Sequence, residues 1–386
     1  MGGVRVCGNR VPILYLHSSS GRYGADRQLA LICAGLDRER YEPLVVLPGP
    51  GPLADDLRAA GTEVLIGPLA VIRREHLHPR GAGGLAARTL RDGVALAALA
   101  RRRGVGLIHS NTSAVLAGAP AAALAGVPHV WHVREIYAGF GRLWSAHRRL
   151  LLSAAALPCV SAATASQFRG SPTAQVIADG LAIDARRAPR EASRAALGLA
   201  PDAPVIAVLG RVSGWKGQDM LVRALAQPPL RERGAIGLLA GDPWPGTPQR
   251  LAQVLALAAE LGVADRLVTP GFVNDVDTVY GAADLIAVPS TLPDPLPGAA
   301  IEAAAAGCAV IASAHGGLPE IIRDGETGRL VTPGDPAALA AVAAELLDDP
   351  RESERLGWHA ARDVRRRFAS ARLSEKIAAL YAQLAG

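Results

Sequence analysis

The chain has 386 residues, half of them apolar and a fifth charged, which supports two domains with buried cores and excludes global disorder. Its 42 Gly and 28 Pro follow no period, which excludes a collagen-like fibre. The net charge of +6 is uneven: residues 1–180 carry 20 Arg against 11 acidic residues, and the remainder is slightly acidic. A basic half suits an acidic substrate or an anionic surface. Nucleic acid is the weakest partner, because aromatics are only 4% of the chain and none interleave with the basic stretches.

Six short apolar runs, at 11–16, 43–47, 63–66, 106–109, 129–131 and 157–160, read as strands. Helical periods lie between them near 25–36, 52–60, 84–103, 113–124 and 142–155. The pattern repeats with strands at 205–209, 236–240, 266–269, 285–288, 309–311 and 329–331, and helices near 216–226, 248–261, 298–306 and 336–347. Residues 183–204, rich in Ala, Arg and Pro, hold no strand pattern and are expected to be the linker. Two helical stretches, 351–367 and 370–384, close the chain.

Strand–helix alternation at this spacing means parallel sheets covered on both faces, so the fold class is α/β, with two Rossmann-like, doubly wound domains facing across a cleft. Their expected bounds are 1–183 and 184–367, with a final helix over 368–386. The run at 11–16 is too short for a signal-peptide core, and no apolar run reaches the roughly 20 residues of a membrane span. The four Cys, at 7, 33, 159 and 308, form no CxxC or CxxH pair, so neither a zinc site nor a disulfide framework is signalled. A cytoplasmic, reducing location fits. No GxGxxG follows either first strand and no GxxxxGK[ST] exists, which argues against a dinucleotide oxidoreductase and a P-loop NTPase.

Ligands of open parallel sheets sit beyond the carboxyl ends of the strands, and the chemistry-bearing residues are sought there. Gly210-Arg211-Val212-Ser213-Gly214-Trp215-Lys216-Gly217 follows the first strand of the second half. Only two of the 41 basic residues are Lys, and one of them, Lys216, stands in this turn as a compact charge able to reach a phosphate. Arg211 adds a fork of donors for phosphate oxygens. Asp294 sits in a loop after a later strand and Glu302 eight residues on, in an Ala-rich helix where a charge is costly unless it is partnered.

With Gly316-Gly317-Leu318-Pro319-Glu320-Ile321 and Asp324-Gly325-x2-Gly328-x-Leu330-Val331, these elements make the chain resemble the retaining glycosyltransferases of family 4, which have the GT-B fold. The first half adds Gly24-Ala25-Asp26-Arg27-Gln28-Leu29 and His129-Val130-Trp131-His132-Val133-Arg134-Glu135. The resemblance implies sugar transfer from a nucleotide-diphosphate sugar (UDP-, GDP- or ADP-linked) to a hydroxyl acceptor, with retention, without metal or other cofactor. The acceptor would be a glycolipid or polysaccharide precursor, or a small molecule. A sugar-nucleotide epimerase and a non-catalytic nucleotide- or carbohydrate-binding protein are the alternatives.

By the same resemblance, Arg211 and Lys216 bind the diphosphate, Glu302 the ribose and Asp294 the donor sugar. The backbone of Leu296, Gly298 and Ala299 lies near the sugar and phosphates, and Gly271, Phe272 and Val273 flank the base. Gly24 lets the backbone approach the donor phosphate, and His132 stands near sugar and acceptor. The final helix would cross back to the first domain, carried by Leu373, Ile377, Leu380 and Leu384. Three departures stand out: Asp294 is one methylene shorter than the usual Glu, Pro297 replaces a Gly, and Tyr23 replaces a Gly. A peripheral membrane contact is a further expectation, from the Arg-bearing segments 73–80, 101–103 and 142–149, with Leu143 and Trp144 inserting.

Overall fold

The structure is a computed structural model that describes residues 10–67, 69–72, 79–137, 141–243 and 247–384, with backbone alone for 79–82 and 142–143. Cys7, most of the Arg-bearing segment 73–80, and the side chain of Leu143 lie outside the described residues. The chain divides into two compact units, Met1–Ala182 with Ser370–Gly386, and Ile183–Ala369.

Unit 1 runs β1 (Val11–Leu16), α1 (Gly24–Ala34), β2 (Tyr41–Leu47), α2 (Pro52–Ala59), β3 (Glu63–Ile66), α3 (Pro79–Arg102), β4 (Leu107–Ser110), α4 (Gly118–Ala125), β5 (His129–Trp131), α5 (Gly141–Leu151), β6 (Leu157–Cys159), α6 (Ala162–Ala165) and β7 (Ala174–Val176). The parallel sheet has the order β3-β2-β1-β4-β5, and β6 pairs with β7 beside it through single bridges from β5. The central strand β1 is apolar on both faces, and Ile13, Leu14, Tyr15 and Leu16 are fully buried, as a strand covered from both sides requires.

The helix expected over 113–124 starts only at Gly118. Residues 112 and 113 are drawn toward β5 instead: the Trp131 indole donates to the Thr112 carbonyl, and Ser113 bonds the Glu135 carboxylate. The strand β7 has no sequence pattern of its own, being three residues of which Gln175 and Val176 are exposed.

Unit 2 runs α7 (Arg190–Ala196), β8 (Val205–Leu209), α8 (Gln218–Leu225), α9 (Pro228–Arg231), β9 (Ile236–Ala240), α10 (Gln249–Glu260), β10 (Leu267–Gly271), α11 (Val276–Ala282), β11 (Leu285–Val288), α12 (Gly298–Ala305), β12 (Ala309–Ser313), α13 (Leu318–Ile321), β13 (Arg329–Val331), α14 (Pro336–Asp348) and α15 (Pro350–Arg367). Its parallel sheet has the order β10-β9-β8-β11-β12-β13. Apolar faces of α8, α10 and α14 meet Ile206, Val208, Leu239, Leu285 and Ile311 on one side of it. The helices α12 and α15 pack along β12.

The last helix, α16 (Ser370–Leu384), belongs to unit 1. Its Leu373, Ile377, Leu380 and Tyr381 are buried in one core with Ile13, Leu29, Ile32 and Val45. Tyr381, absent from the expected apolar stripe, donates through its hydroxyl to the Tyr15 hydroxyl at 2.8 Å.

The expected linker is corrected by the structure. Residues 183–204 belong to unit 2, where α7 packs on α11. Arg194 is 1% exposed and donates to the carbonyls of Ala200, Pro201, Ala203 and Ala282 and to the Asp284 carboxylate. The other Asp284 contacts are the Val205 N–H and Arg190, so this polar knot ties the segment to the start of β8. Its anchor is a buried guanidinium with its hydrogen bonds filled, which hydrophobic periodicity cannot reveal. Among the described residues, no helix is long and apolar enough to cross a membrane.

Candidate active site

In each unit the strand order reverses beside the first strand, between β1 and β4 in unit 1 and between β8 and β11 in unit 2. The loops leaving these strand pairs diverge and leave a crevice at their carboxyl ends. The candidate residues of each half sit on that edge.

In unit 2, Gly217 has φ +84°, and a Cβ there would stand 2.0 Å from the Pro289 carbonyl oxygen. Glycine therefore lets the loop after β8 press onto the loop after β11, and the Thr291 N–H seals the contact at 2.8 Å from the Trp215 carbonyl. This approach joins two residues 78 positions apart. The Lys216 ammonium donates to the Asp294 carboxylate at 2.7 Å and lies 4.4 Å from the centre of the Trp215 ring. Asp294 is 3% exposed, and the Ser290 hydroxyl reaches the same carboxylate oxygen at 3.4 Å.

The Gly-Gly loop clamps Asp294 from behind. Gly317 N–H donates to its carbonyl at 2.7 Å, and a Cβ at Gly316 would stand 2.3 Å from that oxygen. His315, which the sequence leaves without a role, donates from Nε2 to the Ser290 carbonyl at 2.8 Å and braces the same loop.

Arg211 is half-buried, with its carbonyl accepting from the buried Gln218 side chain at 3.1 Å. Glu302 is half-buried, and its carboxylate lies over the first turn of α12, 3.9 Å from where a Gly298 Cβ would be. Gly298 and Ala299 open that helix and Leu296 is buried just before it. Gly271 ends β10 with φ +77°, and the following Phe272 ring is exposed while Val273 is half-buried. Arg211, Lys216, Asp294, Leu296, Gly298, Ala299, Glu302 and Gly271 to Val273 thus share one edge of the unit 2 sheet.

Gly24 and His132 belong to unit 1. Gly24 opens α1, and nothing stands within 4 Å of a Cβ built there, so folding alone does not demand a glycine. His132, just past β5, is fully buried and stacks on His109 with ring centres 5.5 Å apart. Its ring nitrogens have no side-chain partner and at most a weak contact with the Ile177 backbone. Burial, then the nearby Arg134 and His109, push its pKa well below the usual imidazole value, against a smaller opposing effect of the Ile177 backbone, so the ring is neutral. His109 in turn bonds the Tyr381 hydroxyl of α16 at 2.5 Å.

A polar network that the sequence reading passed over joins the carboxyl ends of β1, β4 and β5. Asn111 donates to His17 Nδ1 at 3.1 Å, which leaves Nε2–H of His17 to donate to Asp26 at 2.7 Å. Burial pulls the Asp26 pKa up, but the bonds from His17, Ser19 and the Tyr23 N–H outweigh it and hold the carboxyl below its usual value. Arg134 spans the Asn111 carbonyl, its side chain, and Asp179. Glu135, held by Ser113, is raised by burial despite those bonds. The available signal was polar residues clustered at three strand ends.

Trp144 is half-buried: its ring stacks on Tyr137 at 5.0 Å, meets Phe168 edge-on and packs against a cluster that holds Trp131 and Leu151.

The family model for glycosyl transferases group 1 matches residues 189–363, and that for glycosyltransferase family 4 matches residues 23–180. This chain belongs to the GT-B glycosyltransferases of family 4. A D-inositol 3-phosphate glycosyltransferase of Nocardia farcinica is 41% identical over 175 residues, 44% of this chain and 39% of that protein. A second, from Streptomyces coelicolor, is 38% identical over 205 residues, 51% of this chain and 43% of that protein. The match thus spans less than half of either relative's own length. The crystal structure of Anabaena HepE in complex with UDP and glucose is similar over 96% of this chain and 99% of that one, with TM-score 0.81 and 26% identity.

Proposed function

We propose that this member of family 4 transfers a sugar from a UDP-sugar to a hydroxyl acceptor, with retention and without a metal ion. The observation that carries the reading is the cluster of Arg211, Lys216, Asp294 and Glu302 on one sheet edge of unit 2, in a chain similar over its length to a protein bound to UDP and glucose. Arg211 and Lys216 would neutralise charge as the diphosphate leaves, and Glu302 would hold the ribose hydroxyls. Leu296 to Ala299 at the start of α12 would face the sugar and phosphates, and Gly271 to Val273 the base. Gly24 and His132 would serve the donor phosphate and the sugar–acceptor pair.

In the proposed step the acceptor oxygen bonds the anomeric carbon as the carbon–phosphate oxygen bond breaks. The acceptor proton passes to the released diphosphate, on the same face. Neutral His132 orients the hydroxyl.

The relatives' names make a phosphorylated inositol the first acceptor to try. A cytoplasmic location, with electrostatic contact to an anionic membrane through the Arg-rich first half, belongs to the same proposal. The test is calorimetric titration with UDP, GDP and ADP without metal, followed by an acceptor screen with the matching sugar donor. Micromolar UDP binding and a product of unchanged anomeric configuration are expected. Binding of none of the three would overturn the reading.

A further inference from the structure

Resting on the membrane contact just proposed, we infer that unit 1 meets an anionic lipid surface through the outer face of α3 and α4. Leu90 and Val94 stand one turn apart on α3 and are 63% and 59% exposed, and Leu124 of α4 is 46% exposed. Among the described residues, no other large apolar side chain is as exposed as these two on α3. The two helices form one surface. A Cβ at Gly93 would stand 2.7 Å from the Pro120 ring, so glycine brings α4 against α3, and Arg101 donates to the Leu124 carbonyl. The opposite side of α3 supplies Leu85, Leu96 and Ala100 to a buried core, which holds the helix in place when its outer residues change.

Charge selects the partner. Four arginines, Arg88, Arg91, Arg101 and Arg102, share the exposed side of α3 with the apolar groups. The only acid in either helix is Asp92, which is 3% exposed and takes a bond from Arg91 Nε at 3.0 Å. Glu63, held by Arg103, belongs to β3 and not to this face. A second copy would bring four arginines against four more with no exposed acid to pair them, so charge disfavours a dimer here. No aromatic ring stands on the two helices for a base to stack on. An anionic lipid surface suits both properties, because apolar tips enter the acyl boundary while guanidinium groups meet headgroup phosphates.

Co-sedimentation of the full chain with vesicles of equal parts phosphatidylglycerol and phosphatidylcholine, at low salt, measures the contact. Leu90→Ser combined with Val94→Ser is expected to weaken binding at least about tenfold, because those side chains no longer leave water. Arg88→Ala and Arg102→Ala are expected to weaken it about fivefold each, and added salt to release the wild type. Leu255→Ser, at a 41% exposed apolar side chain on α10 of unit 2, is expected to bind as wild type does.

Wild-type binding that persists through both sets of substitutions would put the membrane contact elsewhere on the chain, overturning the inference while the broader proposal stands. Wild type that binds no anionic vesicle would fail both. A dimer, seen by light scattering, that the serine pair dissolves would give this face to a second copy and also overturn the inference. Calorimetric titration with UDP is expected to be unchanged in every variant, and wild type that binds no nucleotide fails the donor reading alone. Thermal unfolding checks each variant, and the arginine variants keep the test decisive where the serine pair does not fold.

Discussion

Replacing Arg194 by Ala tests whether residues 183–204 are part of the unit 2 scaffold. The guanidinium is buried and bonds four backbone carbonyls and Asp284, at 2.5 to 3.1 Å. Breaking a buried pair by removing one partner costs about 3–5 kcal/mol, because the remaining polar groups stay desolvated. Asp284 keeps the Val205 N–H and Arg190, which puts the expected loss at the lower end, about 3 kcal/mol. For a unit of this size that lowers the unfolding midpoint by roughly 6–12 °C. Urea and thermal unfolding, followed by circular dichroism, measure it. A loss within about 0.5 kcal/mol, as for an exposed substitution, would refute the reasoning and restore the segment to a linker.

Unit 1 carries four buried histidines whose pKa values burial drives down: His109 and His132 well below the usual value, His129 to about 3 and His147 to about 4. Each stays neutral when folded and takes up a proton when unfolded, so its contribution is full above about pH 6.5 and shrinks as pH falls toward the folded value, by about 1.4 kcal/mol per pH unit. Calorimetry from pH 7.5 to 5 is therefore expected to show unit 1 losing stability steeply, and a flat midpoint would contradict it. Gly217→Ala forces a side chain into φ +84° and onto the Pro289 carbonyl, so UDP affinity is expected to drop at least tenfold as Lys216 shifts. Wild-type affinity in that variant would show that the loop contact does not set the lysine.

The parallel α/β character of both units was legible because each central strand is apolar on both faces and each helix carries its own period. Strands such as 11–16 and 205–209 announce themselves within a few residues, whatever surrounds them. The Gly-Arg-x4-Lys-Gly turn was legible for a related reason, since a glycine-flanked lone lysine after a strand is a local pattern. The run 370–384 showed its apolar stripe too, but not Tyr381, whose importance lies in its hydroxyl contacts with Tyr15 and His109.

Only the tertiary structure decided which distant polar groups meet. Lys216 and Asp294 join because β11 lies beside β8 in the sheet, an adjacency that no spacing encodes. Arg194 turned an apparent linker into scaffold, and the Trp144 ring meets Tyr137 and Phe168 across a loop that no periodicity reveals. His17 became a committed hydrogen-bonding group through Asn111, 94 positions away. Hydrophobic burial follows local patterns because it is non-directional, so sequence reveals it. Hydrogen bonds and ion pairs need donor and acceptor within about 3 Å in a set orientation, and the packed fold supplies that position.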